Sequence, residues 1–364
     1  MSRFLPEEGT SALEELKEKY PTASDEQVGT WAKFYGYANA SSFINRFFKM
    51  TGIRRSRQSR TDEPPEIKSE MVNLPPIKLR EYKARKARRG DEETQILHTG
   101  DGHAGKITRS YNSDVYKARM EAMFDHLLTI TNLHRNMYPI NKLRIIDTGD
   151  KVQGENPFQG SKAGEIEMGV RDQIVKLALP MWIELIGSLK QNFAEVTVDF
   201  FPGNHGHDRL APETSSWDIA LADLIKAKLD SHKGITVNVH ERFGDIIYIE
   251  GFRFFCFHGD GILCQQGVPF FSLDKSLKSW YMQYGGFNYA LGGHFHKAHS
   301  DEISSKLWYS MVSTLVSDDE WALKKLKISS NPSQWTYGIH PRYGITWTYR
   351  LQVDDKFLPE KLDK

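Results

Sequence analysis

Cysteine is scarce in this sequence, which has only Cys256 and Cys264 among 364 residues. A secreted fold held by disulfide bridges needs more of them, so we expect a reducing compartment. Long apolar runs are also absent, since no stretch reaches the roughly 18 residues of a membrane-spanning helix. No apolar segment next to a cleavage site follows the N-terminus, which argues against a secretory signal. We therefore expect a soluble, cytoplasmic protein with no membrane contact.

A strong net charge is lacking too, but the value of +1 conceals an uneven distribution. Residues 54–90 contain twelve Lys or Arg and five Asp or Glu, a charge of +7 that leaves the rest near −6. Clustered basic side chains bind polyanions by releasing counterions, so this segment is either a phosphate-backbone contact or a solvated tether. The candidate nucleic-acid-binding residues are Arg54, Arg55, Arg57, Arg85, Lys86, Arg88 and Arg89.

Four regions are predicted along the chain. Residues 1–53 form a small helical region, with helices over Ala12–Tyr20, from Ser24 onward and over Ser41–Met50. This spacing is compatible with a helix-turn-helix that reads DNA and with a small bundle that contacts protein. Residues 54–93 are a basic, Pro-containing linker, residues 94–353 form the main domain, and residues 354–364 are a tail.

From Thr94 onward, short apolar strands alternate with helices, which predicts an α/β domain. The predicted strands are Gln95–Thr99, Leu143–Thr148, Val196–Phe201, Ile235–Val239, Ile246–Glu250, Phe252–His258, Tyr289–Gly292, Trp308–Val312 and Ile345–Val353. The predicted helices are Val115–Asn132, Val170–Gln191, Trp217–Asp230 and Ser272–Gln283.

Five of these strands end in loops that contain metal-ligand residue types. The loop sequences, in chain order, are Asp101-Gly102-His103, Gly149-Asp150, Gly203-Asn204-His205, His258-Gly259-Asp260 and Gly293-His294-Phe295-His296. Loops at the carboxyl ends of strands in open α/β sheets converge on a crevice, so we expect one shared site. Carboxylate, amide and imidazole ligands without thiolates suit Mn²⁺, Fe or Zn²⁺ and argue against a structural zinc site.

In this order, Asp-x-His, Gly-Asp, Gly-Asn-His, His and Gly-His-x-His resemble the five sequence blocks of the calcineurin-like metallophosphoesterase superfamily. The resemblance covers roughly residues 94–353, and it favours the phage-type and DNA-repair-exonuclease-like branch. It implies two facing mixed β-sheets flanked by helices, with two metal ions at one end. A phage-encoded protein would work in the host cytoplasm.

The resemblance also implies a role for each site residue. Asp150 would bridge two divalent ions, for which we expect Mn²⁺, with Fe or Zn²⁺ as alternatives. The ligands of one ion would be Asp101, His103, Asp150 and His296. The ligands of the other ion would be Asp150, Asn204, His258 and His294. His205 would protonate the leaving oxygen or stabilise the charge that develops on phosphorus.

One position departs from the family pattern, in which an acidic residue commonly follows the histidine of Gly-Asn-His. Gly206 occupies that position here, so His205 lacks the adjacent carboxylate that would fix its tautomer and raise its basicity. Asp208 is a candidate substitute, and His207 is an additional candidate for a substrate contact. Asp260 is predicted to have a turn or supporting role.

The choice of substrate depends on features outside the ligand set. The basic linker favours nucleic acid, and so does the segment between His258 and His294 if it forms a lid. The lid candidates are Gln265, Gln266, Phe270, Phe271, Lys275, Lys278, Trp280 and Tyr281. The alternative is a helix packed on the sheet through Leu273, Leu277 and Trp280. The polar segment Gly154–Gly169 is predicted to be a mobile loop over the metals or a surface connection.

We predict a phosphodiesterase that acts on nucleic acid. A phosphomonoesterase or small-nucleotide phosphohydrolase is the first alternative, and a DNA-binding module with an inactive phosphoesterase domain is the second. The C-terminal aromatic residues are predicted to pack in the core and edge strands of the second sheet. These residues are Trp308, Trp321, Trp335, Tyr337, Trp347 and Tyr349.

Overall fold

The structure is a computed structural model that describes residues 18, 22–25, 28–29, 40–56, 92–156, 163–207, 215–263, 270–319 and 331–354. The chain separates into two compact units, Met1–Met71 and Val72–Lys364. Among the helices in the described parts of the chain, none is long and apolar enough to cross a membrane.

In its described residues, the first unit contains a short parallel strand pair and a helix. Strand β1 (Thr22–Ala23) pairs with β2 (Arg54–Arg55), and helix α1 spans Ala40–Thr51. Helix α1 confirms the predicted helix Ser41–Met50 and buries Phe47. The predicted helix Ala12–Tyr20 lies almost entirely outside the described residues, and so does most of the one predicted from Ser24.

The second unit is built on two mixed β-sheets. The strands of the first sheet are β3 (Thr94–Thr99), β4 (Lys142–Asp147), β5 (Glu195–Phe200), β6 (Ile235–Val239), β12 (Ser333–His340) and β13 (Gly344–Gln352). Their order in the sheet is β13-β12-β3-β4-β5-β6, in which β3 to β6 are parallel and β12 is antiparallel to both of its neighbours.

The strands of the second sheet are β7 (Gly244–Ile249), β8 (Phe252–Phe257), β9 (Tyr289–Gly292), β10 (His299–Ser304) and β11 (Leu307–Met311). Their order is β10-β11-β9-β8-β7, and β8, β9 and β11 are parallel. The edge strands β7 and β10 run antiparallel to their neighbours.

Helices cover the outer face of each sheet. The helices on the first sheet are α2 (Ser113–His134), α3 (Val170–Asp172), α4 (Leu179–Lys190) and α5 (Trp217–Leu229). A π-helical segment, Gln173–Ala178, joins α3 to α4, so the helix predicted over Val170–Gln191 is interrupted. Helix α6 (Phe270–Gln283) packs on the second sheet through Leu273 and Leu277.

One apolar cluster lies between the first sheet and its helices, a second lies between the second sheet and α6, and a third, the inner cluster, lies between the two sheets. Successive residues of a strand point to opposite faces, so Ile96 of β3 joins this inner cluster while Leu97 packs against the helices. The second sheet contributes Phe254 and Leu291 to the inner cluster. The predicted fold class, two facing mixed sheets flanked by helices, is confirmed.

The assignment of the C-terminal aromatic residues was wrong for most of them. Strands β12 and β13 extend the first sheet, because β12 pairs with β3. Trp335, Tyr337, Trp347 and Tyr349 therefore belong to the first sheet, while Trp308 lies in the second. Trp321 lies outside the described residues. Strands β10 and β12 were not predicted, because polar residues such as Gln334 and Thr336 are buried within β12 and obscure its apolar pattern.

Candidate metal centre

The five ligand-bearing loops come together from both sheets. Three of them follow the parallel strands β3, β4 and β5 of the first sheet, and two follow the parallel strands β8 and β9 of the second. The first two loops are joined by backbone hydrogen bonds, in which the N–H groups of Asp101 and His103 donate to the carbonyls of Gly149 and Asp150 at 2.9 and 2.8 Å. All seven predicted ligands therefore lie in one region of the second unit.

Five predicted ligands have left-handed backbone conformations. The φ angles are 52° at Asp101, 47° at His103, 56° at Asp150, 72° at His294 and 53° at His296. Residues other than glycine rarely adopt positive φ, although Asp and His tolerate it better than most. Such conformations persist where the surrounding structure enforces them, and they concentrate at functional sites.

One cluster consists of Asp101, His103 and His296, whose ligand atoms all lie within 4.8 Å of one another. The Nε2 atoms of His103 and His296 are 2.9 Å apart. Asp101 Oδ1 lies 3.4 Å from His296 Nε2 and 3.9 Å from His103 Nε2. The Asp101 carboxylate also accepts the backbone N–H of His294, which fixes the loop after β9.

A second cluster consists of Asp150, His258 and His294, again with ligand atoms within 4.8 Å. Asn204 completes it, because its Oδ1 lies 2.9 Å from both His258 Nε2 and His294 Nδ1. His258 Nδ1 lies 2.8 Å from the carbonyl oxygen of Thr148. A carbonyl only accepts, so this nitrogen holds a proton and Nε2 faces the cluster, where it carries a second proton or binds an ion.

Asp150 connects the two clusters. Its Oδ1 accepts the backbone N–H of His205 at 2.7 Å. Its Oδ2 lies 3.2 Å from His258 Nε2 and 3.9 Å from His103 Nε2, so one carboxylate oxygen faces an imidazole of each cluster. A group in this position can contact two ions at once.

Burial and neighbouring charges set the protonation states of these groups. Burial and the charge of His258 lower the pKa of His294 to about 3. Burial also lowers the pKa of His103 well below its usual value. Burial opposes the charge on Asp150, but His258 and His205 hold the pKa of its carboxyl well below the usual range. His258 differs, because Asp150 outweighs burial and raises its pKa to about 10.

The donor set fits divalent cations. In the second cluster, His258 Nε2 lies 2.9 Å from the amide oxygen of Asn204 and 3.2 Å from the Oδ2 atom of Asp150, so three potential ligand atoms face one another. Such a contact is repulsive unless a cation or a proton lies between the atoms, and metal ligands must be deprotonated. The pKa of His258 is raised for the same reason, because the Asp150 carboxylate outweighs burial and favours a positive charge at this position. The described residues therefore contain three groups of potential metal ligands, namely the two clusters above and a group of His103, Asp150 and His205, and Asp150 belongs to two of the three.

His205 lies against the first cluster rather than outside the site. Its ring centroid is 4.5 Å from that of His103, and its ligand nitrogen lies within 4.8 Å of a ring nitrogen of His103 and a carboxylate oxygen of Asp150. His205 Nδ1 lies 3.3 Å from the carbonyl oxygen of Gln153, so it donates there and leaves Nε2 for the site. The backbone carbonyl of Gln153 thus fixes the tautomer, a task that the sequence pattern gives to an acidic residue at position 206. Burial lowers the pKa of His205.

Three buried polar residues that the sequence reasoning missed hold the loops in place. Asp218 accepts backbone N–H groups from the loops after β4 and β5. Lys151 Nζ pairs with Asp147 at 2.9 Å and donates to the Phe201 carbonyl at 2.6 Å. Gln173, in the π-helical segment, accepts the N–H of Gly154 at 2.9 Å. Asp218 gave no sequence signal beyond the ordinary start of a helix, since its partners are 15 to 68 residues away in sequence.

The remaining predicted site residues are less closely involved. His207 forms a β-bridge with Ser216, and its Nδ1 lies 3.4 Å from the Ser215 carbonyl. Asp260 is exposed in a turn, as predicted. Asp208 and the basic residues Arg57, Arg85, Lys86, Arg88 and Arg89 lie outside the described residues. Arg54 is exposed, whereas Arg55 is paired with Asp25.

The segment between His258 and His294 forms a packed helix in its described part. Leu273 and Leu277 are fully buried, and the ring centroid of Trp280 lies 5.3 Å from that of Phe255. Phe271 is 86% exposed. The alternative of packing on the sheet is therefore the one observed for α6. Gln265 and Gln266, and residues 157–162 of the Gly154–Gly169 segment, lie outside the described residues.

No family model matches this sequence, and no curated protein matches it. Vacuolar Protein Sorting 29 from Cryptosporidium parvum is 15% identical, with 69% of this chain and 87% of that chain covered and a TM-score of 0.35. A predicted phosphoesterase from Streptococcus pneumoniae is 8% identical, with coverage of 71% and 97% and a TM-score of 0.28. The 5′-nucleotidase from Candida albicans is 13% identical, with coverage of 78% and 56% and a TM-score of 0.33. Because all three TM-scores are below 0.5, function has to be inferred from the site itself.

Proposed function

We propose that this chain is a two-metal-ion hydrolase that cleaves phosphate esters. The observation that carries the proposal is the position of Asp150, whose Oδ2 faces His258 of one ligand cluster and His103 of the other. Two divalent ions bound on either side of it would supply a water of lowered pKa and neutralise charge on the phosphoryl oxygens. Mn²⁺ is the expected ion, since oxygen and imidazole donors without thiolates suit it, and Fe or Zn²⁺ are alternatives.

The residues of the chain would bind, orient and exchange protons. Asp101, His103 and His296 would hold one ion, Asn204, His258 and His294 the other, and Asp150 both. His205 would work through Nε2, because the Gln153 carbonyl occupies its Nδ1 proton. That Nε2 would carry a proton to the leaving oxygen as part of an imidazolium, which burial opposes and the Asp150 carboxylate favours.

Two chromogenic substrates test the proposal. Metal-loaded protein in Mn²⁺ should hydrolyse bis(p-nitrophenyl) phosphate, and it should hydrolyse the monoester p-nitrophenyl phosphate more slowly. Asp150→Asn should abolish turnover, while Asp260→Asn, which alters an exposed carboxylate after the His258 strand, should not. Faster monoester cleavage would favour the phosphomonoesterase alternative. If the wild type binds metal and turns over neither ester, the proposal is wrong and a binding module with an inactive phosphoesterase domain becomes the better account.

The proposal extends to nucleic acid as the substrate class. The charge of +7 on residues 54–90 supports it, because clustered Lys and Arg neutralise phosphates and release counterions. Replacing Arg85, Lys86, Arg88 and Arg89 together by alanine should reduce the salt dependence of DNA binding. If all four contact phosphates, the slope of log K against log salt should fall by about 3–4. An unchanged slope would exclude this cluster from the nucleic-acid contact.

A further inference from the structure

A single buried carboxylate gathers the backbone of two ligand-bearing loops. Asp218, near the start of α5, is fully buried. Its Oδ2 accepts the N–H groups of Asp150 at 2.9 Å and Gly203 at 2.8 Å. Its Oδ1 accepts the N–H groups of Lys151 at 3.0 Å and Val152 at 3.3 Å. Three of these donors follow β4, and the fourth follows β5.

The bonding pattern places Asp218 between the proposed bridging ligand and a terminal ligand. The N–H of Asp150 itself is bound, and Gly203 directly precedes Asn204. Asp150 has a left-handed backbone with φ of 56°, and the hydrogen bond from its N–H to Asp218 helps to hold this conformation. Charged acceptors form stronger hydrogen bonds than neutral ones, so a carboxylate suits this cluster of four N–H groups.

The space around Asp218 is closed to other side chains. A Cβ atom at Gly206 would lie 2.8 Å from Asp218 Cγ and 2.9 Å from its backbone nitrogen. A side chain at position 206 would therefore have to enter the volume that the Asp218 carboxyl group fills. This explains why glycine follows His205.

We propose that Asp218 is the positioning residue of the metal centre, holding the Asp150 and Asn204 loops in their ligating arrangement before any ion binds. The inference rests on the proposed function and adds to it a residue that touches neither metal nor substrate. Removing its charge leaves several buried N–H groups without an acceptor, so the two loops separate and metal affinity falls. Partners of metal ligands in other sites typically change affinity by about 10–100-fold when they are replaced.

The experiment compares Asp218→Asn with Asp223→Asn, the same substitution at an exposed position on the same helix. Mn²⁺ binding is measured by calorimetry, the coordination geometry by the Co²⁺ absorption spectrum, and turnover at low and saturating Mn²⁺. We expect Asp218→Asn to raise the Kd of Mn²⁺ by about 10–100-fold, alter the Co²⁺ spectrum and recover turnover in excess Mn²⁺. Asp223→Asn should match the wild type. Wild-type affinity, spectrum and turnover in Asp218→Asn would overturn the inference.

A measurement on the wild type covers the case in which Asp218→Asn does not fold. In metal-free protein the amides of Asp150, Lys151 and Gly203 should exchange slowly with deuterium, since Asp218 already holds them. Fast exchange that slows only after Mn²⁺ is added would overturn the inference, because the ion would then be ordering the loops. A wild type that keeps these amides protected but neither binds two ions nor hydrolyses an ester would refute the proposed function alone.

Discussion

Replacing Gly203 with alanine tests how closely the loops of the metal centre are packed. A Cβ atom at this position would lie 2.2 Å from both the amide nitrogen and Oδ1 of Asp150. That distance is about 1.2 Å short of ordinary van der Waals contact, which begins near 3.4 Å. One of the contacted atoms is backbone, so rotation of a side chain cannot relieve the overlap. We therefore expect the loop bearing Asn204 to move away from Asp150.

The expected losses of folding stability and turnover follow from that displacement. Overpacking of this kind costs about 1–3 kcal/mol of folding free energy. A shift of about 1 Å in a catalytic group can lower the rate about 100-fold. Gly203→Ala should therefore lower the apparent melting temperature by several degrees, at about 2–4 °C per kcal/mol, and reduce turnover about 100-fold.

Gly164→Ala is the matched control, because a Cβ atom there meets nothing within 4 Å. Melting is followed by circular dichroism, metal content after dialysis against Mn²⁺, and turnover with bis(p-nitrophenyl) phosphate. If Gly203→Ala equals Gly164→Ala in all three measurements, the close approach of the two loops is not required and the reasoning fails.

Three further predictions concern the acid, a buried ion pair and the metals. His205→Ala should keep both ions and lose turnover about 10²–10⁴-fold; loss of an ion by elemental analysis would instead make His205 a ligand. Asp199→Asn should cost about 3–5 kcal/mol at neutral pH, because Arg144 loses its buried partner. Burial opposes the charge of Asp199, but His240 and Arg144 lower the pKa of its carboxyl below 3.8. The charged Asp199 therefore contributes to folding stability above pH 3.8, and this contribution is lost as the pH falls through the folded-state pKa. Urea titrations should therefore show the gap between variant and wild type narrowing below about pH 4, and a constant gap would contradict this. EDTA should lower the melting temperature and abolish turnover, and Mn²⁺ should restore both, since an ion at 100 times its Kd stabilises the folded state by about 2.7 kcal/mol. A melting temperature indifferent to EDTA would argue against a bound ion in the folded protein.

The order of the ligand-bearing strands and loops could be predicted from local sequence patterns. Short apolar segments bounded by glycine predicted β3, β4, β5, β8 and β9 to within a residue or two, because a buried strand requires locally contiguous apolar residues. Each predicted ligand follows its strand directly. The α/β fold class could be predicted for the same reason, since alternating strands and helices are a local property of the chain.

The tertiary structure alone decided which strands share a sheet and what holds the site together. Strand β12 pairs with β3 across about 240 residues of chain, at Trp335 with His98 and at Thr336 with Leu97 among other pairs, which no local pattern indicates. Asp218 resembles any acidic residue in the first turn of a helix until its carboxylate is seen to accept four backbone N–H groups. Every residue except proline has a backbone N–H donor, so sequence cannot reveal which of these donors a buried carboxylate will meet. The ligand types are determined locally, whereas their mutual distances depend on nonlocal packing.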